Sequence, residues 1–260
     1  MTALAWHNNP NLKQEVMQRL RDHRAADEIV RGIYQAYAPN SENGYRGCAI
    51  GCTLPRQDIN SYTDEGDEIE SPNAGWHGEV EHLYGIPRPI GRLIDGLFES
   101  LPTVNDQHAE FAVAVIDAIP VGADLSLVVA RFLLDVLADP DHGVRRHTTQ
   151  GSKRQAAVDR VIELYRRKLA GEEIDGQEWR SADAYADAAA AYAGDAAAYA
   201  GDAAAYAAAY ADAYAGDAAA YAGDAAAYAD AYADAYAAAR IWQAERLIHH
   251  LTTAPIGVPA

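Results

Sequence analysis

Cysteine is scarce in this 260-residue chain: Cys48 and Cys52, four positions apart, are the whole supply. A secreted disulfide scaffold would use more of them at wider spacing, so that class is excluded. No run of eighteen uncharged apolar residues occurs, because the alanine-rich stretch carries an aspartate every few positions, and this argues against a membrane span. The opening Met-Thr-Ala-Leu-Ala-Trp-His lacks a basic segment followed by an apolar one, so no signal peptide is expected and the protein reads as cytoplasmic. Bases are missing altogether from residues 182–239. That stretch consists of Ala, Asp, Tyr and Gly, and its nine aspartates carry −9 of the net −17. So acidic a balance excludes non-specific nucleic-acid binding, which needs clustered Lys and Arg to neutralise phosphates.

What the chain has is helical periodicity. Apolar residues at Val16, Leu20, Val30, Ile33 and Tyr34 predict an amphipathic helix from Asn11 to Tyr37, ended by the turn-forming run Pro39 to Gly44. Residues 56–75 are polar and read as a solvated loop. Further helices are predicted at Trp76–Tyr84, Pro89–Glu99, Asn105–Ala118, Asp124–Leu137 and Ser152–Leu169, with Pro87, Pro102 and Pro120 at their boundaries. No alternating β-branched run suggests a sheet. The expected fold is all-α: a helical body over 1–174, a repeat region over 175–251 that opens on a capping box formed by Asp175 and Glu178, and a short tail over 252–260.

Tyrosines 185, 192, 199, 206, 210, 214, 221, 228, 232 and 236 are spaced by sevens and fours. A strand would throw residues seven apart onto opposite faces, whereas a helix of about 3.6 residues per turn gathers them into one stripe. Glycines and most aspartates fall on the other side. A continuous helix over these 58 residues would be about 87 Å long, against about 40 Å for a body of this size. The tyrosine face is therefore expected to be covered by a second copy of the chain, making a homo-oligomer, or by the repeat folding back at its glycines.

Two groups of residues could carry chemistry. Cys48 and Cys52 with His77 and His82 are the one cluster of thiolate and imidazole types, candidates for a metal site or a Cys/His enzyme centre. Structural thiols beside surface histidines are the competing reading. The segment Arg145–Lys168 holds a local charge of +6, which makes Arg145, Arg146, Lys153 and Arg154 candidates for binding an anionic small molecule. Tyr199 and Tyr206 of the stripe offer rings for stacking a ligand. No phosphate-binding loop, dinucleotide fingerprint, zinc-protease motif or nucleophile elbow is present, so an enzyme is the less favoured class and no cofactor is expected.

The segments Gly47-Cys48-Ala49-Ile50-Gly51-Cys52-Thr53, Tyr84-Gly85-Ile86-Pro87, Leu97-Phe98-Glu99-Ser100-Leu101-Pro102 and Ala118-Ile119-Pro120-Val121-Gly122-Ala123-Asp124-Leu125-Ser126 together resemble a family of uncharacterised phage and bacterial proteins that end in alanine-rich repeats. The resemblance covers most of residues 1–180. A looser similarity runs to alanine-rich proteins described as putative immunity proteins. The phage setting implies a binding protein that counters host defence, engaging a host protein or sequestering a nucleotide-like signal. The alternative is the Cys/His-centred enzyme or metal protein.

Overall fold

A computed structural model describes residues 4–38, 43–55, 76–102, 106–179, 181 and 237–257. The tyrosine stripe, and with it Tyr199 and Tyr206, lies outside the described residues. So does most of the repeat region, expected to be helical. The chain divides into two compact units, one made of Met1–Phe132 and Arg240–Ala260, the other of Leu133–Ala239. Among the described residues no helix is long and apolar enough to cross a membrane.

The first unit is mainly helical. It contains α1 (Pro10–Ala25), α2 (Trp76–Tyr84), α3 (Arg88–Ser100), α4 (Gln107–Asp117), the start of α5 (Val128–Ala138) and, from Arg240 onward, a C-terminal helix that covers 237–252. α1 starts as its sequence demands: Pro10 supplies a preset φ at the first position, and the Asn9 carboxamide accepts from the Asn11 and Leu12 amides. The core is a continuous set of fully buried aliphatics and aromatics that includes Leu20, Ile50, Ile90, Ile94, Phe98, Ile116, Ile119 and Leu247. α3 packs against both α2 and α4, and α1 packs against α4.

Two expectations change here. α1 stops at Ala25, not Tyr37, because Asp27 takes a left-handed conformation (φ 56°) and closes a Schellman end: its N–H donates to Arg24 O at 3.1 Å and the Glu28 N–H to His23 O at 2.9 Å. The freed chain then forms β1 (Gln35–Tyr37), paired antiparallel with β2 (Tyr45–Gly47), so the unit is not purely helical. The capping box expected at Asp175 is present: its carboxylate accepts from the Gln177 amide at 3.0 Å, and the Glu178 carboxylate accepts from the Asp175 backbone N–H while also pairing with Arg167 at 2.7 Å.

Both ends of the chain converge on one turn. The Ala5 N–H donates to Ala123 O and the Gly122 N–H to Ala5 O, each at 2.9 Å. From the other side the Gly257 N–H donates to Gly122 O and the Asp124 N–H to Pro255 O, each at 2.8 Å. Residues 252–257, within the stretch read as a short C-terminal tail, are thereby hydrogen-bonded into the first unit, and the helix before them buries Ala244, Leu247 and Leu251.

In the second unit α6 (Lys153–Leu169) is capped by the Ser152 hydroxyl, which accepts from the Gln155 amide at 3.1 Å. It ends in another Schellman arrangement, with Gly171 at φ 87°. A 3-10 turn, Val144–His147, packs beside it.

Candidate functional site

The glycine–cysteine segment turns inward. Residues 48–54 are buried, and a short 3-10 turn, Gly51–Thr53, presses the segment against the carbonyl of Tyr34. A methyl group built on Gly47 would sit 2.2 Å from that oxygen, and one on Gly51 would sit 1.7 Å from it. Neither distance is attainable by real atoms, so both positions need glycine for room. The segment then spreads hydrogen bonds in every direction. The Gln35 amide donates to Gly51 O at 2.6 Å, the Tyr45 hydroxyl to Leu54 O at 2.8 Å, and the Thr53 carbonyl accepts from the Tyr84 hydroxyl at 2.6 Å and from Arg19 at 2.5 Å. One loop thus joins α1, α2 and the hairpin.

The thiols take part in the same scaffold. Cys52 Sγ donates to Gly47 O at 3.3 Å, and burial pushes its pKa up to about 12. Cys48 is also buried, and its Sγ accepts from the Gly51 amide at 3.4 Å. Burial holds this thiol well above the ordinary range, and the neighbouring Asp95 carboxylate pushes it further. A nucleophilic cysteine needs the opposite surroundings, a positive neighbour and access, and burial disfavours the thiolate at both positions.

His82 does not join them, and His77 is connected to Cys48 only through Asp95, which both approach. His77 lies over Gly91 of α3, and its Nε2 stands 3.5 Å from Asp95 Oδ2. His82 is exposed at the end of α2, where its backbone carbonyl meets the His7 ring at 3.0 Å. Cys48, Cys52, His77 and His82 therefore form no common centre, and among the described residues no group of three or more His, Cys, Asp and Glu could hold a metal ion. The carboxylate that faces Cys48 escaped the sequence reading. Asp95 shares its helix face with Arg88, Arg92 and Glu99, so nothing in the sequence singled it out.

The basic candidates face solvent. Arg145 and Arg146 sit side by side on the 3-10 turn, and Lys153 is exposed at the start of α6. Arg145 Nε donates to Asp159 Oδ1 at 2.5 Å, which raises its pKa, and Arg146 donates to the Asp141 carbonyl. The Arg154 side chain lies outside the described set. Arg167 is engaged by Glu172 and Glu178, whereas Arg160, Arg166 and Lys168 are exposed. Exposed ion pairs of this kind are worth little, so an incoming anion displaces Asp159 from Arg145 at small cost.

Comparison of the chain with protein-family models, with curated proteins and with solved structures finds no match.

Proposed function

We propose that this chain acts by binding and performs no reaction at its cysteines, serving as a phage counter-defence factor that engages a host protein or sequesters a nucleotide-like signal. The observation that carries this reading is the Cys48 thiol, sealed in the core beside a carboxylate. The alternative, a Cys/His-centred enzyme, needs that sulfur to be exposed, ionised and next to an imidazole. The resemblance of residues 47–53, 84–87, 97–102 and 118–126 to phage and bacterial proteins suggests the biological setting.

Two measurements test it. Iodoacetamide should leave Cys48 and Cys52 unlabelled in the native protein and modify both in urea. The Cys48→Ser, Cys52→Ser variant, if folded, should keep whatever ligand or partner the wild type retains in native mass spectrometry. Rapid native labelling of Cys48, or loss of the retained species from a well-folded double variant, would return the chemistry to the cysteines.

The nucleotide arm of the proposal rests on the exposed Arg145 and Arg146. Charge-assisted hydrogen bonds contribute about 1.5–3 kcal/mol each, so changing both to alanine should weaken binding of a nucleotide probe in calorimetry by at least about tenfold. Unchanged affinity would move the anion site off this turn.

A further inference from the structure

His23, on the last turn of α1, is fully buried. Its Nδ1 meets Glu28 Oε2 at 2.7 Å, and its ring stands edge-on to Tyr45 with centroids 4.4 Å apart. Its Nε2 is buried with no hydrogen-bond partner. Glu28 also receives the Asn43 side-chain amide at 2.6 Å, and its backbone carbonyl accepts from Gly47 N–H at 3.0 Å. Through this one imidazole, α1 is fastened to the segment after it and to the β1–β2 hairpin.

The neutral ring suits the site. With its proton on Nδ1 it donates to Glu28, and Nε2 is left as a bare acceptor, the less costly group to leave unmet. Protonation converts Nε2 into a buried donor with nothing to receive it, and a buried donor without an acceptor carries the full penalty of its lost hydration. We propose that His23 is an acid-sensitive latch: taking up a proton detaches the β1–β2 hairpin and the cysteine-bearing turn from α1 before the rest of the first unit unfolds.

The charged surroundings weigh on both sides. From α1 itself, Arg19 opposes a second positive charge, while Asp22 favours it; from the following segment Glu28 favours it; the hairpin contributes the neutral Tyr45, and the turn the neutral Cys52. Burial outweighs these and holds the imidazole below its ordinary pKa. The sign follows. The unfolded chain binds this proton more readily than the folded one, so stability from this site is complete above the ordinary histidine range and is lost as pH falls through it.

Hydrogen exchange reads the latch directly. The reporters are the amides of Val30, Gly47 and Cys48, which bond to Gly47 O, Glu28 O and Ile33 O. After correction for intrinsic rates, their protection in the full chain should fall several-fold between about pH 7.5 and about pH 5.5, a range that spans the ordinary histidine pKa. Amides of α3 and α4 should hold. His23→Gln should abolish this dependence. Should that variant fail to fold, nitrogen NMR of the wild-type histidines decides: a neutral ring protonated on Nδ1 at pH about 7, lost together with hairpin protection on acidification, supports the latch. A pH-independent hairpin, a dependence that survives in a folded His23→Gln protein, or an imidazolium coexisting with a protected hairpin would each overturn it.

Discussion

Gly51→Ala is expected to destabilise the first unit by about 4 kcal/mol or more, enough to leave much of the protein unfolded. The added methyl would meet the Tyr34 carbonyl oxygen at 1.7 Å and its carbon at 2.8 Å. Both atoms are backbone, so no rotamer change relieves the clash. The chain would have to move the 3-10 turn away from residues 34–35, breaking the Gln35 hydrogen bond to Gly51 O and disturbing those made by Thr53 and Leu54. Gly96 provides the control. It is exposed within α3 and a methyl there meets nothing within 4 Å, so Gly96→Ala should stabilise by about 0.5–1 kcal/mol. Urea denaturation followed by circular dichroism compares the two. A Gly51→Ala protein as stable as wild type would mean that the loop does not lie against Tyr34.

Trp6→Ala should cost about 3–5 kcal/mol, at the large end for a core truncation. Trp6 is fully buried, packs against Tyr84 with ring centroids 5.7 Å apart, and donates its indole N–H to Ile119 O at 2.9 Å. It also holds an unusual backbone. Trp6, His7 and Asn8 all have positive φ, at 59°, 48° and 56°, a left-handed turn that side chains with a Cβ disfavour by about 1–2 kcal/mol per residue. The strain persists because the indole and the hydrogen bonds of Ala5 with Gly122 and Ala123 lock it from either side. Without the ring, the N-terminal segment should release, exposing the 119–124 turn and loosening the C-terminal residues bonded to it. Limited proteolysis should then cut the variant within its first ten residues while the wild type resists; an equally resistant variant of wild-type stability would show that the indole is dispensable.

The helices were legible because their signals are local. Apolar spacing near 3.6 and prolines at the boundaries placed α2 on the same residues that the structure shows, and α3 and α6 within one residue at each end. α1 was extended too far because Val30, Ile33 and Tyr34 continue a helical spacing by coincidence. What stops the helix is Asp27 in a left-handed conformation, held where His23 reaches Glu28, and aspartate is a weak written signal for a position that usually takes glycine. The hairpin was missed for a related reason: strands of three residues have no room to display an alternation.

The cysteine motif shows where reading along the chain stops. Residue types and spacing marked Cys48 and Cys52 as potential ligands or nucleophiles. Whether a thiol meets an imidazole or a carboxylate depends on which helix lies across it, and here Asp95 of α3 arrives from 47 positions away.

By itself, then, the sequence determined the mainly helical character of the chain, the limits of most of its helices and the exposed basic run after Gly143. These follow from propensity and from periodicities that span only a few residues. Tertiary structure alone decided that the glycine–cysteine loop is a buried scaffold, that His77 and His82 part company, and that the final helix and residues 252–257 belong with the first unit. Each depends on atoms brought together by closure of long loops, Ala5 with Ala123 or Asp124 with Pro255, and no local preference encodes such a meeting.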